Sequence, residues 1–108
     1  MKGVFVIQTA VPTRVVASKL ARALIQKKLA ACVHIAPQGT SIYRWKGKIE
    51  QSKEYLLTIK TSKKALPSAL QILNTLHPYE LPEILAIPVT KGFPAYIDWI
   101  TKETIFGD

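Results

Sequence analysis

The chain has 108 residues and a single cysteine. One cysteine excludes an internal disulfide and any all-cysteine zinc site. A lone thiol suits a reducing compartment, which points to the cytoplasm. Long apolar runs are missing as well. The amino-terminal "MKGVFVIQTAVPTR" holds only "VFVI" as a continuous apolar stretch. That is too short for a signal-peptide core, and no small-residue cleavage site follows. No run approaches the about 20 residues that a bilayer span needs, so no membrane partner is expected. Repeats, low-complexity tracts and linkers are absent, and the length suits one domain over residues 1–108. No GxxxxGKS/T phosphate loop and no GxSxG nucleophile motif occurs. Catalysis therefore has no motif to rest on, and an enzyme is not expected.

Acidic residues are scarce. Fifteen Lys/Arg stand against seven Asp/Glu, for a net charge of +8. The imbalance is uneven: residues 1–64 carry +11 and residues 65–108 carry −3. A basic chain invites acidic partners, but no Lys/Arg run exceeds two residues, so a solvated surface fits as well.

What is present reads as alternating strands and helices. "GVFVIQT" (3–9) is a β-branched apolar run, read as a buried strand. Pro12 and Thr13 mark a helix start, and Val16, Leu20 and Leu24 form the apolar stripe of a helix over about 13–28. "LAACVHI" (29–35) reads as a strand, interrupted after it by Pro37 and Gly39. "TSIYRWKGKIEQSKEYLLTIKTS" (40–62) reads as a long hairpin turning near Lys46-Gly47. Leu66, Ala69, Leu70 and Leu73 predict a helix that starts between 63 and 67 and stops at Pro78. "EILAIPV" (83–89) is the last strand, with Pro88 placing it at an edge or bulge. "PAYIDWITKE" is a closing short helix.

The order is βαββαβ plus a carboxy-terminal helix. This is an α+β, ferredoxin-like arrangement: an antiparallel sheet with a long β2–β3 hairpin and two helices on one face. "VFVI", "YLLTI" and "ILAI" are apolar at successive positions, so both sheet faces want cover. Two helices cover only one face. The other is expected to meet another subunit.

The same fold serves RNA-recognition modules, whose third strand carries a Gly-aromatic pattern. "KEYLLTIK" has no Gly and one aromatic, so nucleic acid is not favoured. Cys32 and His34 are two apart on a strand and share a face, where a thiolate and an imidazole suit copper or zinc. Cys32 is equally at home as a small buried hydrophobe. "LHPYELPEILAIPV" (76–89) gathers His77, Tyr79, Glu80 and Glu83 between prolines. His77 and Glu80 fit three readings: a helix cap, a metal or ligand contact, or an acid–base pair.

"AAC" (30–32), "TSIYRW" followed by "GKI" (40–49), "HPYE" followed by "PEI" (77–84) and the late "YIDWI" together resemble the divalent-cation-tolerance (CutA-type) proteins. The resemblance runs from about residue 4 to 103. It implies a homotrimer of ferredoxin-like subunits, similar to the PII nitrogen-signalling proteins, and a link to tolerance of copper and other divalent ions. It implies no established catalysis. Cys32 and His77 match family positions, with Glu80 beside them as a further metal contact. Tyr43, Trp45, Lys60, Tyr79, Glu80 and Pro82 match positions expected around an intersubunit cleft. Two departures weaken a copper site, leaving Cu2+ or another divalent cation weakly bound: Gln8 and Leu76 stand where some members carry Cys and a second His. His34 stands where Asn is more usual. The alternative is a PII-like signalling module, with Lys60 meeting a small anionic metabolite beside Tyr43 and Trp45, or a partner protein in the same cleft.

Overall fold

The computed structural model describes residues 3–104. Its elements are β1 (Val4–Val11), α1 (Arg14–Gln26), β2 (Cys32–Ile35), β3 (Gly39–Trp45), β4 (Lys48–Ser62), α2 (Leu66–Leu76), β5 (Ile84–Pro88) and α3 (Pro94–Glu103). The strands form one five-stranded sheet in the order β2-β4-β1-β5, with β3 also paired to β4. Every pairing is antiparallel. This is the ferredoxin-like α+β arrangement.

β4 organises the sheet. Its 15 residues pair β3 over Lys48–Glu54, β1 over Tyr55–Ser62 and β2 over Leu57–Lys60. The strand opposite it is broken in two at Pro37, which has no N–H to give. Ala36 still donates to the Leu56 carbonyl at 2.8 Å, so the break is short. The hairpin turns at Lys46 (φ 50°) and Gly47 (φ 80°), where the two-residue turns that match strand twist need positive φ. β5 is an edge strand, and Pro88 sits opposite Phe5 near its end. An edge tolerates the missing donor.

α1 opens at Thr13, whose hydroxyl accepts from the Val16 N–H at 3.1 Å. Its exit differs from expectation. Lys28 takes φ 58°, Leu29 N–H bonds the Leu24 carbonyl at 2.9 Å and Lys28 N–H bonds that of Ile25 at 3.1 Å. This is a Schellman cap, built here on lysine where glycine is usual. Leu29 and Ala30 therefore belong to the helix exit, and the strand expected from residue 29 begins at Cys32. The Thr61 hydroxyl donates to the Leu29 carbonyl at 2.6 Å and fixes this exit on the sheet.

Alternation on the strands separates two faces. Ile7, Val11, Leu57 and Ile59 point to α1 and α2 and bury against Ala17, Leu20, Leu24, Ala69 and Leu73. Burying each such branched side chain stabilises the fold by roughly 1.5–3 kcal/mol. The opposite face is only part covered. α3 closes one end, where Ile100 is buried and the Thr104 hydroxyl donates to Ser62 Oγ at 2.7 Å. The register puts Val6, Lys60 and Cys32 in one row of that face, and Gln8, Thr58 and His34 in the next. Leu85 (53% exposed) and Ile87 (48% exposed) continue these rows on β5.

Candidate functional site

The corner between α2 and β5 is built around His77. Its backbone caps α2 by donating to the Leu73 carbonyl at 2.9 Å. Its backbone then turns extended (ψ 133°) toward Pro78, as a residue before proline prefers. The imidazole points inward and is only 7% exposed. Tyr79 N–H donates to Nδ1 at 3.2 Å, so Nε2 carries the proton that it donates to the Ala10 carbonyl at 2.8 Å. Both ring nitrogens are engaged. A metal reaches His77 only by displacing one of these bonds, and the corner is held to the end of β1 by the ring itself.

Tyr79 extends the tie. Its ring lies 4.9 Å from that of His77, and its hydroxyl donates to Glu54 Oε2 at 2.8 Å. Burial, followed by the bond to the Glu54 carboxylate and its charge, pushes the phenol well above the ordinary tyrosine range. Across the hairpin, Tyr43 and Ser52 share a hydroxyl–hydroxyl bond of 2.8 Å. The corner and the hairpin enclose a cleft of about 230 Å³ lined by Tyr43, Trp45, Ser52, Tyr79, Glu80 and Leu81. A second cavity, about 440 Å³, shares Tyr43 and Leu81 and adds Ser41, Ile42, Glu54 and Glu83. Among the described residues, no lysine or arginine lines either one.

The residues singled out in the sequence thus divide. Tyr43, Trp45, Tyr79 and Glu80 come together in the cleft. Lys60 does not: it stands on the sheet face opposite Cys32, six residues along β4 from Glu54. The cation expected for an anionic ligand is therefore missing from the cleft. Cys32, His77 and Glu80 do not converge either. Cys32 is level with Val6 through Lys60, whereas His77 bonds Ala10, four residues further along β1. At about 3.3 Å per residue the two are separated by roughly 13 Å along the sheet alone. Among the described residues no three His, Cys, Asp or Glu gather in a way that could hold a metal ion. The neighbour Cys32 does have is His34, on the same face of β2 and exposed. Sequence reasoning missed Glu54 and Ser52, which tether the cleft's tyrosines; their place opposite β3 on alternate residues was the available signal.

Residues 5–103 match the CutA1 divalent ion tolerance protein family. The chain belongs to that family. Protein CutA of Mus musculus is 46% identical over 93 residues, 86% of this chain and 52% of that protein. The chain thus spans about half the length of that relative. The solved divalent cation tolerance protein (Cut A1) of Thermus thermophilus superposes with a TM-score of 0.89 at 42% identity, covering 96% of this chain and 99% of that one. The periplasmic divalent cation tolerance protein CutA of Archaeoglobus fulgidus superposes at 0.88 with 33% identity, covering 93% and 97%. Family membership links the chain to divalent-cation tolerance. No helix among the described residues is long and apolar enough to cross a membrane.

Proposed function

We propose that the protein binds a divalent cation weakly, copper being the ion its donors suit, and acts without catalysis as a cytoplasmic homotrimer. The observation that carries the metal reading is the pair Cys32 and His34 on one face of β2. Thiolate and imidazole are the ligands that soft and borderline ions select, whereas the cleft around Glu80 offers oxygen alone. Two donors from one chain leave the coordination sphere to water or to a second copy, which keeps affinity low. The absence of catalysis is supported by His77, whose two ring nitrogens are both bonded to backbone groups and so are not free to exchange a proton with a substrate.

The homotrimer is supported by the half-covered sheet face, with Leu85 and Ile87 exposed in the single chain, and by the outer edge of β3, which pairs no strand among the described residues. Apolar faces and bare strand edges are what neighbours cover. The cytoplasmic location is supported by the single free cysteine. The signalling alternative, in its anionic-metabolite form, needs an anion-binding group in the cleft, and Lys60 is not among the residues lining it.

Isothermal titration with Cu(II) at neutral pH tests the metal reading. Cys32→Ser and His34→Ala should each weaken binding by about tenfold, near 1.4 kcal/mol. Affinity unchanged in both variants removes the pair from the site. Light scattering tests the assembly: three chains of 12.0 kDa are expected, and the mass of one chain refutes it.

A further inference from the structure

We propose that the cleft between the β3–β4 hairpin and the His77–Glu83 corner binds a small alkylated ammonium ion, of choline size. The site is distinct from the Cys32–His34 pair and does not depend on it.

Charge points to a cation. Lysine and arginine outnumber acidic residues by more than two to one in the chain, yet among the described residues none lines the cleft or the cavity beside it. Three carboxylates do: Glu80 in the cleft, Glu54 and Glu83 next door. Glu54 accepts from Tyr79 and Glu83 from Gln8. Among the described residues, Glu80 has no hydrogen-bond or ion-pair partner, so its charge is free for a ligand.

The walls point the same way. Tyr43, Trp45 and Tyr79 are among the residues lining the cleft, and aromatic ring faces attract cations. Alkylated ammonium ions are weakly hydrated, so a ring face replaces their water at little cost. A metal ion is poorly served here: Glu80 is the one carboxylate among the described residues that line the cleft, and among them no three His, Cys, Asp or Glu gather to hold an ion. Two of the three rings are also held in place. Tyr43 is tied to Ser52 and Tyr79 to Glu54, each at 2.8 Å, so little ordering remains to be done on binding.

Lys46, which is not among the residues lining the cleft, supplies a cation to the Trp45 ring. Lys46 Nζ lies 5.6 Å from the Trp45 ring centroid. An intramolecular ammonium on this ring shows what the ring attracts. A volume of about 230 Å³ is smaller than a drug-sized pocket and suits a head group of a few heavy atoms.

The test uses Trp45 fluorescence in the assembled protein, in a Trp99→Phe background that removes the other indole. Choline should give a saturable change at millimolar concentration. The neutral isostere 3,3-dimethylbutanol should bind at least about tenfold more weakly, since cation–π attraction depends on the charge. Glu80→Gln and Tyr43→Leu should each weaken choline about tenfold. Cys32→Ser should leave it unchanged, and Glu80→Gln should leave the copper titration unchanged. The proposal is overturned if choline gives no saturable change up to roughly 100 mM at constant ionic strength. It is also overturned if the neutral isostere binds equally, or if neither Glu80→Gln nor Tyr43→Leu weakens binding.

Discussion

Replacing His77 by alanine separates a structural histidine from a metal ligand. The substitution removes two hydrogen bonds, from Nε2 to the Ala10 carbonyl at 2.8 Å and from Tyr79 N–H to Nδ1 at 3.2 Å. Each is worth about 1 kcal/mol net, and more where a buried group is left unpaired. Ala10 is only 5% exposed, so its carbonyl has little water to turn to. The space left by an inward-facing ring adds to the loss. Together these give a cost of about 3 kcal/mol. With a urea slope of about 1.5 kcal/mol per M, the unfolding midpoint should fall by about 2 M. His77→Gln keeps a donor near Ala10 and should lose about half as much. Copper affinity should change by less than about twofold in both, measured on folded protein. A small stability change together with a tenfold or greater loss of copper affinity would refute the reasoning and return His77 to the metal site.

Tyr79→Phe removes a phenol whose folded-state ionisation is pushed above the ordinary 10.0. A raised acid stabilises the fold fully below the unfolded value and loses that contribution as pH climbs through the folded one. The stability gap between the wild type and Tyr79→Phe should therefore be constant up to about pH 9 and shrink above pH 10, as read by urea unfolding at each pH; a gap that grows there contradicts the Glu54 tie. Lys28→Gly places glycine at the positive-φ residue of the α1 cap and should stabilise by about 0.5 kcal/mol, seen as a higher melting temperature. Leu24→Ala, at a fully buried position under the sheet, should cost about 2–5 kcal/mol by denaturant titration.

Periodicity made most of the fold legible. The stripe Val16, Leu20, Leu24 placed α1, the Lys46-Gly47 pair placed the hairpin turn, and Pro88 placed β5 at an edge. The start of β2 was not legible, because its signal is a cap and the cap residue is Lys28 rather than glycine. The cleft was half legible. Alternation tells which face of a strand a side chain takes, but not how far along a 15-residue strand it lies. Lys60 therefore reads as a neighbour of the cleft, and the register carries it away to Cys32. The role of His77 rests on a backbone carbonyl 67 residues away, and no side-chain pattern announces a carbonyl. Successive apolar positions in the strands read as a demand for cover on both faces, and Leu85 and Ile87 remain exposed in the single chain.

The central claim is that a metal ion goes to the sheet face that carries Cys32 and His34 and leaves the His77 corner intact. Anomalous diffraction from crystals grown with Cu(II) tests it most directly. The expected result is a copper peak between Cys32 Sγ and the His34 imidazole, with the His77 ring still bonded to Ala10 and Tyr79. A peak on the His77 ring, with those two bonds broken and no copper on β2, would contradict it.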